Sequence, residues 1–69
     1  MYAIIKNQVD IDGTIFTSYG IKCENAYMNF QIENICLNSS EIKELLNELV
    51  RFEILPMHLK DYIEDFMAK

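Results

Sequence analysis

A single histidine, two cysteines and several helix-spaced carboxylates are the side chains from which this sequence could build chemistry. His58, Asp61 and Asp65 stand at i, i+3 and i+7, a spacing that puts all three on one side of a helix, where they could hold a divalent ion weakly. The same pattern describes a solvated polar face near a helix N-terminus, where the macrodipole favours acids, so no metal site is expected. Cys23 or Cys36 beside His58 would make an activated thiol. Each cysteine falls in strand-like sequence, however, and a free cysteine there is more often a small buried hydrophobe. Neither belongs to a C-x-x-C, which disfavours zinc, and in a reducing compartment both are expected as free thiols. Glu64 and Asp65, or Glu44 and Glu48, offer paired carboxylates for hydrolysis, but they belong to helix exteriors with no cleft implied around them. Glycine-rich phosphate loops, a GxSxG elbow and EF-hand spacing are absent. The expectation is of a chain that is not an enzyme, takes no cofactor, and has no catalytic or metal residues.

The chain is short and acidic. Its 69 residues allow one domain, 1–69, with a core that leaves much apolar surface near water. Such a core supplies only about 3–5 kcal/mol without a disulfide, a metal or a partner chain. Hydrophobic residues make up 51% of the sequence, with two glycines and one proline, a globular composition rather than a disordered one. Eleven acids against six bases leave a net charge of −5, and no two bases are adjacent. Clustered Lys and Arg are what displace counterions from a nucleic acid, so direct nucleic-acid binding is not expected. No apolar run approaches the roughly 20 residues of a membrane span. The opening residues Met1 to Lys6 lack a basic region followed by an apolar stretch. A small soluble cytoplasmic protein is the expectation.

The elements that would position these residues are legible in the apolar spacing. Ala3, Ile5, Val9 and Ile11 occupy odd positions, the period of a half-buried strand. Asp12-Gly13 then signals a hairpin. A two-residue loop there would pair Asp10 with Ile15 and Lys6 with Tyr19, setting apolar against polar. A three-residue loop, Ile11 to Gly13, instead pairs Val9 with Ile15, Ile5 with Tyr19 and Ala3 with Ile21, and this register is expected. A turn at Glu24-Asn25 leads to a third strand from about Ala26, pairing Ile21 with Met28, Tyr19 with Phe30 and Thr17 with Ile32. The parity of apolar positions switches after Ile32, which predicts a bulge or break near Glu33-Asn34.

Asn38 is a suitable N-cap with Glu41 three residues on. Ile42, Leu45, Leu46, Leu49 and Val50 follow as one helical stripe that should end between Phe52 and Leu55. Pro56 opens a second helix reaching about Ala68, with Leu59, Tyr62, Ile63, Phe66 and Met67 on one side. The predicted fold is α+β, a three-stranded antiparallel β-meander followed by two amphipathic α-helices packed on one face (β-β-β-α-α).

Two stretches, Tyr19-Gly20-Ile21 in the second strand and the closing run from His58 to Phe66, are similar to a family of short uncharacterised proteins of Gram-positive, spore-forming bacteria. The resemblance covers nearly the whole chain through strand and amphipathic-helix residues. It implies a domain of unknown function and brings no catalytic residue with it.

With odd positions turned to the helices, the outer sheet face would carry Tyr2, Ile4, Phe16 and Tyr27 among Lys6, Gln8, Ser18 and Lys22. Large apolar groups gathered on a surface usually mark a contact, and in so short a chain a second copy is the nearest partner. The expected function is a small cytosolic protein–protein interaction or regulatory module, acting through that face or the helix pair and able to form a homodimer. The alternative is an acidic inhibitor that mimics nucleic acid toward a basic partner, although bases are interspersed with its acids on both helices.

Overall fold

Three strands and two helices follow one another in the computed structural model. They are β1 (Tyr2–Ile11), β2 (Thr14–Glu24), β3 (Asn29–Cys36), α1 (Ser39–Arg51) and α2 (Leu59–Met67), with a 3-10 turn at Pro56–His58 leading into α2. The structure describes residues 1–26 and 28–68. The strands form one antiparallel sheet in the order β1-β2-β3, so the β-β-β-α-α order and the α+β class are those expected from the sequence. Ile21 and Cys23 of β2 meet Ile42, Leu45, Leu49, Leu59 and Ile63 of the helices in a single buried cluster. The helix α1 touches all three strands, while α2 lies against β3.

The hairpin register differs from the expected one. Ile11 pairs with Thr14, Asp10 with Ile15, Lys6 with Tyr19, Ile4 with Ile21 and Tyr2 with Cys23, so the loop has two residues rather than three. Asp12 and Gly13 both take positive φ, 52° and 84°, the backbone of a type I′ turn, whose twist matches that of the strands it joins. The Asp10 carboxylate accepts the Gly13 N–H at 2.9 Å, which fixes the turn further. Because cross-strand partners share a face, the one-residue change turns β1 over. Tyr2 and Ile4 point toward the helices with Ile21 and Cys23, and the odd set Ala3, Ile5, Val9 and Ile11 points away. Tyr19 and Phe30 pack against the core as expected, but Ile5 sits on the opposite side, across from Gly20.

Burial failed to choose the register because the helices do not cover the whole hairpin. β3 pairs with β2 only between Tyr19 and Glu24, leaving the β1 and β2 residues nearer the turn as a two-stranded arm. There Val9, Ile11 and Phe16 lie on the far side, with Val9 paired to Phe16, while Ile15, paired to Asp10, lies on the other face and stays exposed. Local turn chemistry therefore decided the register.

The β2–β3 link is also longer than expected, since β2 ends at Glu24 and β3 begins only at Asn29, and the Met28 N–H donates to Asn25 Oδ1 at 2.8 Å. Ile21 now pairs with Ile32 and Cys23 with Phe30, four positions from the expected partners. An even displacement preserves parity, so Phe30 and Ile32 still face the core. Between the pairs Ile21–Ile32 and Tyr19–Cys36, Gly20 alone stands opposite Glu33, Asn34 and Ile35. That is the anticipated irregularity, and β3 runs through it to Cys36 instead of ending. Asn34 takes φ 56° at this bulge. A side chain on Gly20 would lie 2.3 Å from the Ile32 carbonyl oxygen and 3.0 Å from Glu33 Cα, so only glycine lets β3 cross so closely.

Asn38 caps α1, its Oδ1 accepting the N–H groups of Ser40 at 2.8 Å and Glu41 at 3.1 Å. Ile42, Leu45 and Leu49 are buried and Leu46 half-buried, but Val50 faces solvent. The helix stops in a Schellman arrangement: Glu53 N–H donates to Val50 O at 3.3 Å and Ile54 N–H to Leu49 O at 3.1 Å. The left-handed position is filled by Glu53, at φ 51°. In α2, Leu59 and Ile63 are buried, Tyr62 and Phe66 are half-buried, and Met67 is exposed.

Candidate interaction surface

The four residues predicted to form one outer surface do not share a face. Tyr2 and Ile4 are half-buried against the core, and the Tyr2 hydroxyl donates to the Ile54 carbonyl at 2.5 Å, tying β1 to the end of α1. Phe16 lies on the far side of the sheet, 39% exposed. Tyr27 lies outside the described residues. The one-residue register change is the whole cause, since it carries Tyr2 and Ile4 under the helices while leaving Phe16 outside.

Exposed apolar side chains gather instead at one end of the molecule. The N-terminus of β1, the β2–β3 link, the C-terminus of α1 and the 3-10 turn meet there. A groove of about 470 Å³ is lined by Met1, Tyr2, Leu49, Val50, Ile54 and Pro56, with Asn25 and Glu53 as its polar members. A neighbouring hollow of about 280 Å³ shares Asn25 and Pro56 and adds Met28, Leu55 and Met57. Met57 is 76% exposed, Val50 63% and Leu55 57%. The placement follows from the local backbone. Pro56 cannot continue α1 and starts a new turn, so Leu55 and Met57 flank a tight bend and stay exposed. Val50 is carried one step off the buried stripe of α1. Methionine suits such a surface, being unbranched and polarizable.

The sequence reading missed Met28, Val50, Leu55 and Met57. The signal was the apolar run Ile54-Leu55-Pro56-Met57 between two helices, of which Leu55 and Met57 are left exposed.

The polar groups read as ties within the fold. Tyr62 donates its O–H to the Glu48 carboxylate of α1. That bond, with some burial, pushes its phenol up to about 12. Burial, and then the nearby Cys23, raises the Tyr2 phenol. Lys22 pairs with Glu24 on the surface and, through hydrogen bond and charge, holds the Glu24 carboxyl below its ordinary value. His58, Asp61 and Asp65 are exposed on the last turns of the chain. Among the described residues no three His, Cys, Asp or Glu side chains converge as a metal site requires. Cys23 is buried and Cys36 half-buried, both as free thiols, and the Cys36 thiol points at the Asn38 carbonyl, 3.5 Å away. None of the described helices is long and apolar enough to cross a membrane.

The whole sequence, residues 1–69, matches the profile of DUF6514, a family of unknown function. The chain belongs to that family. No curated protein and no solved structure matches it. This DUF6514 member combines the three-stranded sheet, the helix pair and the apolar end around Met57. The Tyr19-Gly20-Ile21 triplet acquires a physical meaning here, because its glycine is where β3 passes over β2.

Proposed function

We propose that the chain is a non-catalytic protein-binding module whose apolar end receives a hydrophobic segment of a protein partner. The observation that carries this reading is the continuity of Met1, Met28, Val50, Leu55, Pro56 and Met57 around two adjoining hollows. Contiguous apolar surface rimmed by polar groups marks an interaction site more often than a chance exposure. The side chains on which catalysis would depend support the same conclusion. His58 is exposed, Cys23 is enclosed in the core, and the titration shifts at Tyr2, Glu24 and Tyr62 arise from structural bonds or burial. The cytoplasm is the compartment this role assumes, and two free thiols suit it.

The test is to isolate a partner from the native cytoplasm, which the sequence resemblance suggests taking from a Gram-positive spore-former, and to measure the purified pair. Met57→Glu and Met28→Glu are each expected to weaken it about tenfold, the size of a central contact residue, while Phe16→Asp on the far face leaves it unchanged. Affinity untouched by both methionine changes would remove the reading. If affinity also collapses with added salt, the acidic-decoy alternative takes its place.

A further inference from the structure

The open edge of β1 presents a second, independent surface. In a hairpin closed by a two-residue loop, Ile11 and Thr14 form a hydrogen-bonded pair, and such pairs recur at every second residue. Val9, Asn7, Ile5 and Ala3 therefore spend their main-chain groups on β2. The alternation ends where it should, at Met1, whose amino group and carbonyl bond the Glu24 carbonyl and N–H, each at 3.0 Å. It follows that the N–H and C=O groups of Lys6, Gln8 and Asp10 point outward. β1 is an edge strand, it pairs with β2 without a register break, and Lys6, Gln8 and Asp10 are all exposed. Proline, bulges and repeated charge are the usual guards of such an edge. β1 has neither of the first two, and its only charges are Lys6 and Asp10.

We propose that a second copy of the chain adds its β1 antiparallel to this edge, about a two-fold axis at Gln8, joining two three-stranded sheets into one. The axis is selected by charge. Two-fold pairing must set outward-pointing residues opposite one another. An axis at Lys6 would oppose two lysines, which is unfavourable. An axis at Asn7 would put Lys6 across from Gln8 and Ile4 across from Asp10. The Gln8 axis alone sets Lys6 of each copy against Asp10 of the other, twice, with the two Gln8 side chains facing at the centre. Asp10 already accepts from Gly13 through one oxygen, so its second oxygen is the one that meets Lys6. About six main-chain hydrogen bonds would form. On the far side Ile11, 45% exposed, would lie opposite Ile5 of the second copy, joining the two apolar stripes that run through Val9 and Phe16. The apolar end stays open, so this contact does not depend on the function proposed above.

Sedimentation of the purified chain from micromolar to near-millimolar concentration is the test. A reversible dimer is expected. Lys6→Asp and Asp10→Lys should each weaken it about tenfold, since every single change converts two attractive cross-strand pairs into repulsive ones. Mixed together, these two variants should form a one-to-one dimer, because one chain then carries only acids at positions 6 and 10 and the other only lysines, which makes both cross-strand pairs attractive again. Circular dichroism on each variant separates a lost contact from a lost fold, and recovery on mixing requires both chains to be folded. A chain that remains monomeric throughout overturns the proposal. So does a dimer indifferent to both reversals, or one dissolved by Phe16→Asp alone, which would be a face-to-face pair.

Discussion

Glu53 occupies a backbone position that glycine usually fills. Its φ of 51° is the left-handed conformation, which costs a residue with a side chain about 1–2 kcal/mol. Its carboxylate also sits at the negative end of the α1 dipole. Glu53→Gly should therefore raise stability by about 1 kcal/mol, after allowing for the greater freedom of glycine in the unfolded chain; the shift in urea midpoint at unchanged slope measures it. Asp12 and Asn34 take similar angles with side chains that tolerate them, so replacing either with glycine should gain less. The tyrosine ties make a pH prediction. The Tyr62 phenol rises from 10.0 to about 12 on folding, mainly through its bond to Glu48. A raised value means that the stabilisation is complete below pH about 10 and is lost as pH climbs through about 12. Tyr2 shifts in the same direction through burial. Unfolding curves should be level up to the start of that window and fall within it, and Tyr62→Phe should flatten part of the fall. An equal alkaline loss in Tyr62→Phe would assign the effect to other groups.

Helices and strands differed in how well they could be read, and the reason lies in the range of the interactions that define them. Asn38, the Ile42-Leu45-Leu49 stripe and the Pro56 restart are local features, each decided within a few residues, and they appear where the spacing puts them. Asn38→Ala should cost about 1 kcal/mol, read from thermal or urea unfolding, because two N–H groups lose their acceptor. Strand register is non-local, and here two cues conflicted. Alternation favoured a shared apolar face across the hairpin, while Asp12-Gly13 favoured a type I′ turn. Alternation can choose only where a face is covered, and the arm carrying Val9 and Phe16 is not. The candidate surface inherited that error, so Tyr2 and Ile4 were placed on the wrong side and the apolar end around Met57 went unseen. The bulge at Asn34 was legible from the parity change after Ile32, whereas its consequence for Gly20 required the third dimension. Gly20→Ala should destabilise by about 3 kcal/mol, since the obstacle is the Ile32 carbonyl at 2.3 Å and main chain yields less readily than a side chain. A loss under half that size in urea unfolding would mean that the bulge can lift away from β2.

Among the described residues seven apolar side chains, Ile21, Cys23, Ile42, Leu45, Leu49, Leu59 and Ile63, make the buried core, and the arm of the hairpin beyond β3 lies outside it. Stability of about 3–5 kcal/mol is what so small a core supplies alone. Leu45 is wholly enclosed at the middle of α1. Removing a leucine there costs about 2–5 kcal/mol, which is the whole of that reserve. Leu45→Ala should accordingly leave a dilute chain largely unfolded at room temperature by circular dichroism. On the proposed β1 edge pairing a second copy would add stability through mass action, and the same variant should then recover structure as its concentration rises. Recovery that disappears when Lys6→Asp is added would tie the extra stability to the strand edge. Helical signal retained at every dilution would instead mean that the core is stronger than its size implies, because no partner is then needed to hold it.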